Sequence, residues 1–135
     1  MIEPRRPPAE DDGPSPERVA RYQRGLWSEV AAAILLTAKG YRILARRHRT
    51  AAGEIDLIAV RGRRLAFVEV KRRATLEEAL TSLGPRQQER IARAAAAFVA
   101  RRPRYAEHEQ GLDVILVVPG RWPEHQVNAY MPRGR

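Results

Sequence analysis

Residues 53–71 read GEIDLIAVRGRRLAFVEVK, two apolar runs separated by a short polar turn. The central Gly62-Arg63 pair has the Gly-X sequence of a type II′ turn, so the stretch is predicted to form a β-hairpin with strands at 54–60 and 65–71. Both faces of each strand carry apolar residues, and such strands are normally covered by helices on both sides. The stretch therefore predicts an α/β sandwich.

The hairpin brings two carboxylates together at the end opposite its turn. With a two-residue loop, the register pairs Asp56 with Glu69 and Glu54 with Lys71. Directly opposed residues have Cβ atoms about 4.5–5.5 Å apart, and like charges there destabilise the sheet. A divalent cation between the two acids would compensate the repulsion. A small set of oxygen ligands suits Mg²⁺ or Mn²⁺, with waters and a substrate phosphate completing the shell.

Lys71 is one of only two lysines in a chain that uses arginine for nearly all its positive charge. Lysine is a compact point charge with a tunable pKa, whereas arginine is a broad fork that stays charged. Lys71 is two residues from Glu69 and so projects from the same face of the strand. We interpret Asp56, Glu69 and Lys71 as candidate catalytic residues of a metal-dependent phosphodiesterase, with Asp56 and Glu69 as metal ligands. The alternative is a surface salt-bridge ladder.

Strict alternation assigns the remaining hairpin residues to two faces. The face of the acids is predicted to carry Ile58, Val60, Leu65 and Phe67. The other face is predicted to carry Ile55, Leu57, Ala59, Ala66, Val68 and Val70.

The flanking sequence predicts the other elements and a single domain over residues 16–135. Residues 1–15 are rich in proline and acids and are predicted to be a disordered tail. Helices are predicted over 16–38, in a short segment capped by Thr75, and over 85–101; further strands are predicted over 41–47, 112–118 and 125–130. Asp113, at the start of one of these strands, is predicted to be a structural cap, with an acid that supports the site as the alternative.

The first helix has an apolar stripe with an acid at its border. The stripe consists of Val19, Tyr22, Leu26, Val30, Ala33, Ile34 and Ala38. Glu29 lies beside it, and a long acid is rarely buried without a partner. Glu29 either supports the carboxylate cluster or is a boundary residue paired with an arginine.

Composition favours an anionic partner. The chain has 135 residues, a formal net charge of +9 and a pI near 11.1, which favours nucleic acid over other partners. It has no cysteine, which excludes disulfides and thiolate zinc sites. No apolar run approaches the roughly 20 residues of a membrane span, and residues 1–16 lack a secretory signal. We therefore expect a cytoplasmic protein without a membrane partner.

Several other polar residues are candidates for the site. Phosphate contacts, which give affinity without sequence choice, are predicted for Arg46, Arg47, Arg49, Arg72 and Arg73. Gln88, on the helix after the motif strand, is predicted to face the site, with an ordinary helix-surface position as its alternative. The three histidines, His48, His108 and His125, share no metal-ligand spacing and are interpreted as surface or satisfied polar residues.

The chain resembles the PD-(D/E)XK nuclease superfamily and, more closely, the YraN-like bacterial family of uncharacterised proteins proposed to be endonucleases. The resemblance covers about residues 21–130. Its motifs are Gly25-x3-Glu29-x-Ala31, Gly40-Tyr41, Gly53-Glu54-Ile55-Asp56-Leu57-Ile58 and Phe67-Val68-Glu69-Val70-Lys71-x-Arg73, with weaker matches at Gln88-x2-Ile91, Asp113-Val114-Ile115 and His125-x2-Asn128-Ala129.

This resemblance implies a restriction-endonuclease-like three-layer sandwich with a mixed central sheet and helices on both faces, similar to archaeal Holliday-junction resolvases. It implies Asp56 and Glu69 as metal ligands and Lys71 as the residue that orients or activates the attacking water. Glu29 would be the helical acid that supports the metal.

Two functions of different classes follow from these observations. The first is a Mg²⁺- or Mn²⁺-dependent endonuclease that hydrolyses DNA, including branched DNA, with RNA as an open alternative substrate. The second is a non-catalytic nucleic-acid-binding module that retains a nuclease fold. Symmetric cutting of two strands would favour a homodimer. An unrelated structural protein would leave the opposition of Asp56 and Glu69 unexplained.

Overall fold

The computed structural model describes residues 15–72 and 75–130, and within them a five-stranded sheet carries helices on both faces. The elements are α1 (Pro16–Ala38), β1 (Arg42–Arg49), β2 (Glu54–Arg61), β3 (Arg64–Lys71), α2 (Leu76–Thr81), α3 (Pro85–Ala100), a 3₁₀ turn (Pro103–Tyr105), β4 (Glu109–Leu116) and β5 (Glu124–Tyr130). The strand order is β1-β2-β3-β4-β5. This arrangement confirms the predicted three-layer α/β sandwich. The predicted tail lies outside the described residues, apart from Ser15.

The sheet is mixed because β3 and β4 run parallel while the other neighbouring strands are antiparallel. A parallel pair needs a long crossover, and α2 and α3 supply it. They cover one face of the sheet, where Ile91 and Phe98 pack on Phe67 and its neighbours. On the other face, Ala32 and Leu36 of α1 pack against a second apolar cluster.

The β2–β3 hairpin has the predicted register near its turn. Consecutive pairs run from Arg61–Arg64 to Leu57–Val68. Gly62 has φ +58°, as the first loop position of a type II′ turn requires. The hairpin prediction is therefore confirmed between the turn and Leu57.

The predicted division of the two faces is wrong at Ile55. Ile55 packs in the α3-side cluster with Ile58, whereas Leu57 belongs to the α1-side cluster. The alternation of β2 is therefore interrupted at Asp56. Across from Asp56 on the neighbouring strand, Arg47 has φ +48°, a backbone conformation that residues with a Cβ rarely adopt. Because of this irregularity, the side chains before Leu57 do not continue the strict alternation between the two faces of the sheet.

The packed face of α1 is rotated relative to the predicted stripe. Ala32 and Leu36 are fully buried, whereas Ile34 is 58% exposed; the side chain of Tyr22 lies outside the described part of the chain. The helix begins as predicted, with the Ser15 hydroxyl accepting from the Arg18 amide at 3.2 Å. In the part of the chain that the structure describes, no helix combines the length and apolar character needed to cross a lipid bilayer.

Candidate active site

The predicted acids and lysine meet in a cleft of about 350 Å³ between α1 and the end of the hairpin. Its walls are Gly25, Ser28, Glu29, Asp56, Glu69, Val70, Lys71 and Arg72. The structure thus brings together the three candidate catalytic residues and the helical acid.

Asp56 is fixed where the hairpin strands separate. The paired positions of β2 and β3 end at Leu57–Val68. Two residues beyond Val68, the Val70 amide donates to Oδ2 of Asp56 at 2.8 Å. This hydrogen bond fixes the orientation of the carboxylate and holds it against β3.

Asp56 and Glu69 line the same cleft, and their environment makes two full negative charges unfavourable. Burial raises the pKa of Asp56, although hydrogen bonds from the Val70 amide and from Glu69 offset part of this effect. Burial and the nearby charge of Asp56 raise the pKa of Glu69 to about 8, against the opposing effect of Lys71. Opposed buried carboxylates of this kind share a proton or bind a cation.

Lys71 lies beside Glu69, as the strand spacing predicts. Its Nζ is 3.8 Å from Oε1 of Glu69, and its side chain is only 15% exposed. The predicted pairing of Lys71 with Glu54 is wrong. Glu54 instead pairs with Arg49, across the β1–β2 ladder, at 3.0 Å. Lys71 therefore directs its charge at the acidic pair.

Glu29 lies in the cleft and is also paired with an arginine. It is 8% exposed and lines the cleft. It also pairs with Arg47, whose Nη2 is 2.6 Å from Oε2 of Glu29. The irregular backbone of Arg47 in β1 accompanies this contact. Arg47 therefore forms an ion pair with an acid of the cleft, in addition to any contact with a phosphate.

The structure brings only part of the other predicted contact residues to the cleft. Arg72 lines it, and Arg46 is exposed on β1. Arg49 pairs with Glu54 and lines a different cavity. Arg73 lies outside the described residues. Gln88 is not among the lining residues, and its side-chain amide donates to the Leu83 carbonyl at 3.0 Å. The described contacts of Gln88 therefore do not support its predicted role at the site.

The donor set fits a hard divalent cation that keeps much of its own shell. Asp56 and Glu69 both present carboxylate oxygens to the cleft. The positive charge of Lys71 balances part of their negative charge. Among the described residues, no group of three or more acids, histidines or cysteines converges as a metal cage. Mg²⁺ is commonly held by one or two carboxylates with waters and substrate phosphates, so two protein ligands suit it.

The sequence did not reveal that Ser28 lines the cleft. Ser28 precedes Glu29 and is 5% exposed. Its position four residues before buried Ala32 is the signal that could have found it.

A second group of polar residues, which we call the Asp113 network, lies inside the sheet. Asp113 is 1% exposed and pairs with Arg64 through both carboxylate oxygens, at 2.7 and 2.8 Å. His125 Nε2 lies 2.7 Å from Oδ2, and the Asn128 amide donates to Oδ1 at 2.9 Å. Asp113 is therefore a buried hub within β4 and not the strand cap that the sequence predicted. His125 is a satisfied polar residue, one of the two possibilities left open for it.

Comparison with known proteins gives one consistent family. The model of the Uncharacterised protein family UPF0102 matches residues 28–117. The UPF0102 protein of Maricaulis maris (strain MCS10) is 57% identical over 111 residues, covering 81% of this chain and 86% of that protein. The UPF0102 protein of Rhodopseudomonas palustris (strain BisB5) is 51% identical over 117 residues, covering 87% and 89%. That of Methylorubrum extorquens (strain PA1) is 49% identical over 129 residues, covering 96% and 98%.

Proposed function

The chain belongs to the Uncharacterised protein family UPF0102, and from this premise and its acidic cleft we propose that it is a metal-dependent endonuclease hydrolysing DNA phosphodiester bonds. UPF0102 is the YraN family, so the family resemblance read from the sequence is confirmed. Catalysis, the DNA substrate and the Mg²⁺ or Mn²⁺ cofactor belong to the proposal.

The proposal is supported above all by two largely buried carboxylates, those of Asp56 and Glu69, in one cleft with Lys71 beside Glu69. A structural role alone would favour an apolar or oppositely charged pair, because two buried acids repel each other. Phosphodiester hydrolysis needs both kinds of charge at one point. Carboxylates hold a cation, and a lysine stabilises the negative charge that develops on the phosphate.

In the proposed mechanism, Asp56 and Glu69 hold Mg²⁺ or Mn²⁺, which when bound lowers the pKa of water and stabilises charge on the phosphate. The Val70 amide keeps Asp56 oriented, so little reorganisation is needed when substrate arrives. Lys71 orients the attacking water through its ammonium group and neutralises charge on the phosphate. Arg72, at the wall of the cleft, contacts a neighbouring phosphate of the same strand.

The proposal is tested by cleavage of linear, nicked and four-way DNA in Mg²⁺ or Mn²⁺. The variants are Asp56→Asn and Lys71→Met, with Glu77→Gln as a charge-matched control on the exposed surface of α2. We expect wild type and Glu77→Gln to cut at the same rate and both cleft variants to lose cutting. Equal cutting by all four proteins would sink the assignment, because it would indicate a contaminating nuclease.

The same experiment separates the alternative function. DNA binding by the wild type with no cutting of any substrate, in either metal, would favour the non-catalytic nucleic-acid-binding module. Running the binding measurement with RNA as well decides which nucleic acid the protein prefers.

A further inference from the structure

A second cavity, which we call the β1–α3 cavity, lies on the other side of the sheet. It encloses about 510 Å³, more than the acidic cleft, and is within the size range of small-ligand sites. It is formed by the end of β1, the loop after it and the last turn of α3. Its lining residues are His48, Arg49, Thr50, Ala51, Ala52, Ala97, Arg101 and Arg102.

The cavity and the acidic cleft lie back to back across the edge strand β1. Arg47 reaches Glu29 on the α1 side. The next residue, His48, packs its ring edge-on against Phe98 of α3, with centroids 5.3 Å apart. His48 is also paired with Ile55, the residue before Asp56.

The lining has a specific chemistry: apolar walls with cationic groups and no acid. The methyl groups of three alanines provide flat, uncharged surface. Arg102 places its guanidinium 4.0 Å from the centroid of the Phe98 ring, which fixes that cation at the wall. Arg101 adds a second cation at the same helix end. Burial, and then the nearby charges of Arg102 and Arg101, lower the pKa of His48.

We propose that the β1–α3 cavity binds a nucleoside phosphate unit of an unpaired DNA strand, next to the phosphodiester held in the acidic cleft. The base would lie against the alanine walls and the guanidinium planes, as bases do on stacking surfaces. The phosphate would contact Arg101 and Arg102. This inference rests on the proposed nuclease function for the neighbouring phosphodiester, and it narrows the substrate to DNA with unpaired nucleotides, because a base cannot enter a cavity while stacked in a duplex.

Two pairs of variants on α3 test the cavity without touching the cleft. Arg101→Ala removes a lining cation, and its control is Arg93→Ala on the same helix, which breaks only an exposed pair with Glu89. Ala97→Trp fills the cavity. Its control is Ala96→Trp, because Ala96 is equally exposed but is not a lining residue.

Binding is measured on the full chain in EDTA, so that cleavage cannot contribute. The probes are thymidine monophosphate, thymidine, inorganic phosphate and a short oligothymidylate. We expect the monophosphate to bind about tenfold more tightly than thymidine or phosphate alone, and Arg101→Ala to weaken it about tenfold. Ala97→Trp should abolish binding of the monophosphate and weaken the oligonucleotide, while both controls stay within about twofold of wild type.

Unchanged affinity in both lining variants, or equal affinity for the monophosphate and inorganic phosphate, would overturn the proposal. The outcomes also separate it from the nuclease assignment. Nucleotide binding that depends on Arg101 without any DNA cleavage would support the cavity and contradict the nuclease. Cleavage that depends on Asp56, with nucleotide affinity indifferent to Ala97→Trp, would do the reverse.

Discussion

Lys71 places a compact positive charge in the acidic cleft, with Nζ 3.8 Å from Oε1 of Glu69. Arginine at the same place would keep the charge but present a broad planar fork. We predict that Lys71→Arg lowers the DNA cleavage rate about 100-fold or more, because a displacement of about 1 Å at a reacting centre has effects of that size. Single-turnover cleavage in Mg²⁺ measures it.

The control is the only other lysine of the chain. Lys39→Arg makes the same chemical change outside the cleft, next to His125, and should leave the cleavage rate within about twofold of wild type. Equal activity of the Lys71→Arg variant and wild type would mean that charge alone suffices at this position.

Glu69 is expected to reduce stability while serving function. Its carboxyl is buried against Asp56, so Glu69→Gln removes a repulsion and keeps a side chain of the same shape. We predict that the substitution raises the free energy of unfolding of the metal-free protein by about 0.5–2 kcal/mol and abolishes cleavage. Urea unfolding in EDTA measures the first effect. A clear loss of stability would show that the pair is structural.

Gly111 in β4 illustrates a constraint between elements. A Cβ at this position would collide with the Arg64 guanidinium and lie 2.7 Å from Oδ1 of Asn128. Arg64 cannot easily move, because it holds Asp113 with two hydrogen bonds. We predict that Gly111→Ala destabilises the protein by about 3 kcal/mol, the scale of breaking a buried ion pair.

Urea unfolding measures this loss of stability. A second glycine provides a control, because the same substitution there is expected to raise the free energy of unfolding. Gly25 lies inside α1, and a Cβ there meets nothing within 4 Å. Gly25→Ala should therefore stabilise the protein by about 0.5–1 kcal/mol. Equal effects of the two substitutions would contradict the steric account of Gly111.

Among the elements, the features that short sequence motifs determine were predicted correctly. The hairpin register followed from turn chemistry at Gly62, and the start of α1 followed from Ser15. The reversal of faces at Ile55 could not be predicted, because it accompanies the conformation of Arg47 on a neighbouring strand and its contact with Glu29. The rotated face of α1 also depends on a neighbouring element, because packing on the sheet buries Ala32 and Leu36 and leaves Ile34 exposed.

At the scale of the whole molecule, the Asp113 network joins β3, β4 and β5 through one carboxylate. Burial alone would raise the pKa of Asp113, but hydrogen bonds from Arg64, His125 and the Asn128 amide outweigh it and lower the pKa to about 2. Because this pKa is below the ordinary value of 3.8, the ionised group stabilises the fold above about pH 4. That stability is lost as the pH falls through 2.

We therefore predict that the free energy of unfolding falls steeply between about pH 4 and pH 2. Asp113→Asn should flatten this part of the profile and cost about 3–5 kcal/mol at pH 7, because it leaves Arg64 buried without its partner. Urea unfolding across this pH range measures both effects. Parallel profiles for the two proteins would contradict the assignment of acid sensitivity to Asp113.

The Asp113 network could not be predicted from the sequence, whereas the acidic cleft could. Asp56, Glu69 and Lys71 were found because one hairpin contains all three near its open end, although its paired register stops at Leu57–Val68. Asp113 and His125 belong to different strands and meet Arg64 of a third. Only the order of strands in the sheet, which no local pattern contains, brings these residues together.

We propose that Asp56 and Glu69 together form the site of a divalent cation. A Mn²⁺ titration followed by electron paramagnetic resonance, with DNA present, tests this on wild type, Asp56→Asn and Glu69→Gln. We predict one Mn²⁺ per wild-type chain and at least about tenfold weaker binding in each variant, since each removes one of two charged ligands. Mn²⁺ binding that is the same in all three proteins, or absent from wild type, would contradict it.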